Sequence, residues 1–113
     1  MSAAENLVTA NPDMDIIYAT GEPALIGAVA AVKSGGYEDK IKIVGWDLHK
    51  QVIQGIDEGF IVGVVQQNPY EEGYQAILAS LKVIAGEKIP EETLIPITIV
   101  TKKNVDKYRK IFK

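Results

Sequence analysis

The chain has 113 residues, of which 47% are hydrophobic and 24% are charged, a balance typical of one small globular domain or a piece of one. Its 12 basic and 15 acidic residues give a net charge of −3. The basic residues are scattered apart from a C-terminal tail that reads as a solvated helix, so no nucleic-acid partner is expected. Cysteine is absent, which excludes disulfides, thiolate metal sites and a cysteine nucleophile.

The start of the chain carries neither the positive segment nor the apolar run of a secretory signal. No apolar run approaches the roughly 18 residues that a membrane-spanning helix needs. As written, the chain is therefore expected to be soluble and unsecreted.

Short β-branched runs alternate with longer segments of helical period, in the order αβαβαβαβα. The first helix is expected over about Ser2–Ala10, and it ends before Pro12, whose ring cannot continue a helical hydrogen-bond ladder. The expected strands are Asp15–Ala19, Ile41–Trp46, Phe60–Gln66 and Leu94–Val100. The expected later helices are Pro23–Ser34, Leu48–Glu58, Pro69–Ala85 and Val105–Ile111.

Turn residues mark the boundaries of these elements. Pro23 is preset for the first turn of a helix, with Thr20 or Gly21 as its cap, and Gly35-Gly36 provides a left-handed end. These signals predict the second helix and both of its ends.

Later in the chain, Asp47 is expected to cap the third helix from the end of the second strand. Pro96 lacks an amide proton, which places the last strand at a sheet edge or at a bend. The fourth helix carries an apolar stripe that is expected to be buried, formed by Tyr70, Tyr74, Ile77, Leu78, Leu81 and Ile84.

Strands that alternate with helices predict parallel pairing through right-handed crossovers. The expected fold is therefore α/β, an open doubly wound, flavodoxin-like parallel sheet with helices on both faces. In such sheets a ligand binds at the carboxyl ends of the strands. The loops to examine are Thr20–Pro23, Asp47–Leu48 and Gln66–Pro69, and each contains polar side chains.

The residues of common catalytic and cofactor sites are missing from these loops. Thr20–Pro23 has one glycine and a carboxylate where a phosphate-binding loop needs several glycines, which disfavours nucleotide cofactors. The single histidine, His49, is expected on an exposed helix surface, and no ligand cluster for a metal accompanies it. Glu71-Glu72 and Glu91-Glu92 are sequence neighbours that point in different directions on a helix. No catalytic residues, metal or cofactor are predicted.

Five motifs in the same order resemble those of ribose-type periplasmic sugar-binding proteins, the solute-binding proteins of ABC transporters. Val44-Gly45-Trp46-Asp47 is similar to that family's Val-Gly-Phe-Asp segment. Asn11–Ala19 is similar to the segment that leads into and forms a strand of that family, and Ala24–Ala28 is similar to the helix that follows it. Val65–Pro69 is similar to the family's Ala-Gln-x-Pro segment, and Thr98–Val105 is similar to its closing run.

The resemblance implies a piece of a two-lobe protein that closes on a sugar, with the first lobe missing. Residues 1–92 would form the ligand-side part of the C-terminal lobe, and residues 93–113 a closing strand and helix that cross back to the other lobe. Asp47 matches the aspartate that accepts hydrogen bonds from sugar hydroxyls, and Gln67 matches an amide at the cleft edge. The residues alone leave a second interpretation open, in which Asp47 is only a helix cap and Gln67 is only a loop residue.

The first loop departs from the family, because Gly21-Glu22 stands where an Asn-Asp pair is usual. Thr20 or Glu22 is expected to substitute for that pair, although helix-dipole stabilisation explains Glu22 equally well. Trp46 is expected either to cover a sugar face or to belong to the core.

The leading hypothesis is non-catalytic recognition of a sugar or similar polar solute, weak in this chain, whose parent acts outside the cytoplasm with the membrane subunits of an ABC transporter. The first alternative is the effector-binding domain of a sugar-responsive repressor, and the second is an enzyme on a flavodoxin-like fold. Surface left uncovered around the final strand also predicts a homo-oligomer.

Overall fold

The computed structural model describes residues 3–112, which form two compact units. The first unit contains the chain up to Gln66 and again from Ile99 onward, and the second contains Gln67–Thr98. The first expected helix was placed from Ser2, which lies outside the described residues. No helix within residues 3–112 has the length and apolar content that a membrane crossing requires.

The helices and strands follow the predicted order. The helices are α1 (Ala3–Ala10), α2 (Glu22–Gly35), α3 (Lys50–Glu58) and α4 (Pro69–Ile84), and a 3-10 helix spans Val105–Tyr108. The strands are β1 (Ile16–Ala19), β2 (Lys42–Trp46), β3 (Ile61–Gln66) and β4 (Thr98–Val100).

The sheet has the consecutive order β1-β2-β3-β4, with β1 parallel to β2 and β2 parallel to β3. This arrangement confirms the predicted α/β class with a parallel sheet. Right-handed crossovers between consecutive neighbours leave on the same side of a sheet, so α2 and α3 are both carried to one face. Both helices contact the sheet and each other there.

The core lies between the sheet and these helices. Gly45 of β2 marks the closest approach, because a Cβ atom there would lie 2.9 Å from Leu25 Cδ1 of α2 and 3.1 Å from the Ala19 carbonyl oxygen. Glycine at this position therefore lets α2 reach the sheet. The largest fully buried side chains belong to Phe60, Leu25, Ile41, Ile43, Ile56 and Ile61.

The opposite face of the sheet is open in the first unit. In β1, Ile16 and Tyr18 alternate with buried residues and are 56% and 60% exposed. In β3, Val62 is 47% exposed at the register shift of the β2–β3 ladder. The helices of this unit thus form one of the two layers that the sequence predicts. The homo-oligomer expected from uncovered surface around the final strand stays a prediction.

The second unit is built mainly from α4. Asn68 caps this helix, since its Oδ1 accepts a hydrogen bond from the Glu71 amide at 3.2 Å. The prediction that its apolar stripe is buried is wrong, because no residue of α4 is buried and Tyr70 and Ile84 are each 81% exposed. Helical periodicity identifies an apolar stripe, but it does not determine whether another segment covers that stripe.

Two C-terminal elements are shorter than predicted. The strand expected from Leu94 begins only at Thr98, after Pro96, because proline cannot donate to a sheet ladder. The expected helix over Val105–Ile111 is a 3-10 helix that ends at Tyr108.

Arg109 ties the C-terminal segment to α3. Its two terminal nitrogens donate to the Asp57 carboxylate at 2.8 and 2.7 Å, and its Nε donates to Asp106 at 2.7 Å. The guanidinium holds the pKa of Asp57 below its usual range. A lowered pKa means that the ionised Asp57 carboxylate is more stable in the folded state than in the unfolded state, so the ionised form stabilises the fold.

This pair predicts a pH-dependent contribution to stability. Because the folded pKa of Asp57 lies below its unfolded value, the contribution is present above about pH 5 and is lost as the pH falls through the folded pKa. Asp57→Asn is expected to lower the urea midpoint at pH 7, and this deficit should be smaller at about pH 3, below the unfolded pKa of an aspartate. The effect is small, since the Arg109 and Asp57 side chains are 41% and 44% exposed.

Asp39→Asn, at an exposed turn position, is the matched control and should not change the midpoint at either pH. An equal deficit for Asp57→Asn at both pH values would show that the ion pair is not the source of its effect.

Candidate functional site

The carboxyl ends of β1 and β2 lie level with each other in the sheet. Ala19, the last residue of β1, pairs with Gly45, and Trp46, the last residue of β2, pairs with Val65 of β3. The residues after these strands therefore emerge at the same edge of the sheet, where parallel α/β proteins bind ligands. The loops after β1 and β2 were predicted to form this edge.

The first loop leads directly from β1 into α2. Gly21 occupies the N-cap position with no side-chain hydrogen bond, and its carbonyl accepts from the Leu25 amide at 2.9 Å. Glu22 is the first residue of α2, so its exposed carboxylate sits at the positive end of the helix. Thr20 is also exposed. Thr20 and Glu22 both lie at the predicted edge of the sheet. The position of Glu22 is also explained by the favourable interaction of its carboxylate with the helix dipole.

Asp47 follows β2 but does not cap α3 as predicted. His49 is the cap, and its Nδ1 accepts a hydrogen bond from the Gln51 amide at 3.4 Å. The helix begins two residues later than predicted because Leu48 is drawn into the core, where it is 2% exposed. The prediction that His49 is an exposed residue inside the helix is wrong for the same reason.

The backbone at Asp47 has an unusual conformation. Its φ is 68°, and among residues 3–112 it is the non-glycine residue with a positive φ. Its amide still donates to the Val65 carbonyl at 2.8 Å, so the last bond of the β2–β3 ladder is kept. Left-handed backbone costs energy for a residue with a side chain, and such positions cluster at functional sites.

Gln66 holds the other side of this turn and was missed as a site residue. Its Oε1 accepts a hydrogen bond from the Leu48 amide at 2.8 Å. The sequence offers only a weak signal for this contact, namely two consecutive glutamines, Gln66 and Gln67, where β3 ends. The acceptor role depends on the neighbouring strand and has no local pattern.

Trp46 has a partner on the open face of the sheet. Its indole Nε1 donates to the Tyr18 hydroxyl of β1 at 2.5 Å. Because side chains alternate along a strand, Trp46 lies on the face opposite to Gly45, which meets α2. Trp46 therefore lies outside the core that the helices cover, and it is not part of the loops at the carboxyl edge of the sheet.

Gln67 is the first residue of the second unit and is half-buried. It directly follows β3 and precedes Asn68, the cap of α4. Its predicted role at a cleft edge stays a prediction.

Cavity size does not mark the predicted site. An open pocket of about 660 Å³ lies at the amino end of β1 and is lined by Leu7 and residues 10–16. A groove of about 420 Å³ runs between α1, β1 and α2, but its lining is mainly apolar, with Thr20 at one end. Within residues 3–112 no group of three or more histidine, aspartate or glutamate side chains is placed to hold a metal ion.

Comparison with known proteins gives consistent matches. A family model described as a periplasmic binding protein domain matches residues 1–88. The ribose import binding protein of Escherichia coli K12 is 25% identical over 103 residues, which cover 91% of this chain and 34% of that protein. The D-allose-binding periplasmic protein of the same organism is 27% identical over 107 residues, covering 89% and 34%. The chain thus spans about a third of the length of the curated relatives it matches.

Solved structures show the same architecture. A glucose-galactose binding protein from Geobacillus stearothermophilus superposes with a TM-score of 0.85 at 29% identity, covering 90% of this chain and 36% of that one. A carbohydrate transporter solute binding protein from Agrobacterium radiobacter, in complex with D-arabinose, gives a TM-score of 0.84 at 29% identity, covering 97% and 38%.

Proposed function

The chain belongs to the periplasmic binding protein domain family, and from this premise we propose that it recognises a sugar or similar small polar solute without catalysing a reaction on it. The observation that carries the proposal is Asp47, a carboxylate kept in a left-handed conformation at the carboxyl end of β2. A carboxylate held in a less favoured backbone conformation at a ligand-binding edge supports a role for that carboxylate in binding.

The proposed contacts follow from the chemistry of sugar hydroxyls. A carboxylate accepts charge-assisted hydrogen bonds from two or more hydroxyl groups, which suits Asp47. Thr20 and Glu22 emerge at the same edge and offer a hydroxyl and a second carboxylate. Gln67 is retained as a ligand candidate on the sequence resemblance alone. Trp46 is retained because an aromatic ring is suited to cover a sugar face.

For the whole protein we propose the role of the substrate-binding component of an ABC transporter, acting outside the cytoplasmic membrane. The names of the relatives, a ribose import binding protein and a periplasmic binding protein, support this assignment. The reading frame upstream of the chain tests it. A signal peptide followed by a first lobe would agree with the proposal, whereas a helix-turn-helix domain would identify a sugar-responsive repressor instead.

We expect the isolated chain to bind sugars weakly, with a dissociation constant that is roughly millimolar or higher. Ligand sites usually surround most of their ligand, and this chain is about a third as long as its curated relatives. An NMR titration with D-ribose, D-allose and D-galactose should shift the backbone amides of Thr20–Glu22 and Asp47–Leu48 with at least one of these sugars.

Asp47→Asn tests the role of the carboxylate, because it keeps the shape of the side chain and removes the charge. It should reduce these shifts at equal sugar concentration. Binding at micromolar concentration would contradict an incomplete site, and shifts confined to other parts of the chain would contradict the proposed one.

A further inference from the structure

The hydrogen bonds of β2 reveal where its backbone stops being regular. In a parallel sheet, alternate amides of a central strand point to its two neighbours. The Lys42 amide donates to the Asp15 carbonyl, on the β1 side, and the Asp47 amide donates to Val65 of β3. Even-numbered amides therefore face β1 and odd-numbered amides face β3. In a regular continuation, the Leu48 amide would point toward β1.

The Leu48 amide instead points to the β3 side, where Gln66 Oε1 accepts it at 2.8 Å. The positive φ of Asp47 explains the reversal, because it turns the peptide between Asp47 and Leu48 away from the strand direction. The Val65 carbonyl accepts the ladder hydrogen bond of the Asp47 amide, and the turned Leu48 amide is instead accepted by a side-chain oxygen of β3.

We propose that Gln66 is a positioning residue, whose side-chain oxygen holds the turned Leu48 amide and so keeps Asp47 in the left-handed conformation that directs its carboxylate toward the ligand. This inference rests on the proposed function in one respect, the binding role of Asp47. The other part, that Gln66 maintains the turn, stands on the geometry alone.

Two features make the turn dependent on this hydrogen bond. Leu48 is buried, so its amide is costly to leave without an acceptor. The left-handed conformation is less favourable for aspartate than for glycine, so the surrounding hydrogen bonds help to hold it. The Asp47–Val65 bond fixes one side of the turn, and the Gln66 side chain fixes the other.

The test compares Gln66→Leu, which removes the acceptor at similar volume, with Gln66→Glu, which keeps an acceptor oxygen in the same place. In Gln66→Leu, hydrogen exchange of the Leu48 amide should be faster by about tenfold or more. The NMR scalar couplings that report φ of Asp47 should move away from left-handed values. The dissociation constant for D-ribose should rise by about tenfold, because the carboxylate is no longer oriented.

Gln66→Glu should retain both the slow exchange of Leu48 and the couplings of Asp47. If the Gln66 side chain only filled space, Gln66→Leu and Gln66→Glu would not differ in this way. Gln54→Leu, the same substitution at an exposed position of α3, should change none of these quantities. If Gln66→Leu does not fold, Gln66→Ser serves for the same measurements, because its hydroxyl oxygen lies two bonds closer to the backbone and does not reach the Leu48 amide.

Unchanged exchange at Leu48 and unchanged couplings at Asp47 would overturn the inference. So would a disrupted turn with an unaltered D-ribose affinity. If the unmodified chain gave no shifts with D-ribose, the proposed function would fail for that sugar, while exchange and couplings would still decide whether Gln66 holds the turn.

Discussion

Phe60→Ala should lower the free energy of unfolding by about 3–5 kcal/mol, a large part of the total stability of a domain of this size. Phe60 precedes β3 and its side chain is fully buried. Its ring packs against α3, where a Cβ added to Gly55 would lie 2.9 Å from the ring atom Cζ. Truncation would remove this contact between helix and sheet and leave a cavity that the surrounding backbone cannot fill.

The fluorescence of Trp46, the single tryptophan, reports unfolding of the first unit in urea. Tyr70→Ala is the control, since it removes a similar ring that is 81% exposed. It should change the free energy of unfolding by no more than about 0.5 kcal/mol. Similar midpoints for the two variants would contradict the assignment of Phe60 to the core.

Substitutions of Asp47 should separate binding from stability. Asp47→Ala and Asp47→Gly both remove the carboxylate, so both should weaken sugar binding by about tenfold or more. The glycine variant should nevertheless be more stable than the alanine variant by about 1 kcal/mol, because glycine adopts a positive φ without steric cost.

Urea unfolding followed by Trp46 fluorescence measures the difference in stability, and the NMR titration with D-ribose measures binding. Equal stability of the two variants would argue against a left-handed Asp47. Retained binding in both would remove Asp47 from the proposed site. A residue that costs stability yet carries binding is the pattern expected of a functional position.

Much of the fold is predictable from local sequence. Alternating apolar runs locate β1, β2 and β3 to within about one residue, since period-two burial is a local property. Gly36 and Gly59, with φ values of 67° and 88°, end α2 and α3 where predicted, because the left-handed conformation favours glycine regardless of context.

The site is predictable only in outline. Parallel strand order brings Thr20, Glu22 and Asp47 to one edge of the sheet, as expected. The turn at Asp47 and the acceptor on Gln66 are not predictable, because they depend on which amide of β2 faces which atom of β3.

Local sequence specifies the α/β class, the order of strands and helices and the polar residues at the strand ends, since each follows from periodicity and turn chemistry within a short window. Three features instead depend on long-range contacts: Leu48 enters the core, His49 caps α3, and the stripe of α4 is exposed. These outcomes depend on what covers a surface and which neighbour accepts a hydrogen bond, and no local pattern contains that information.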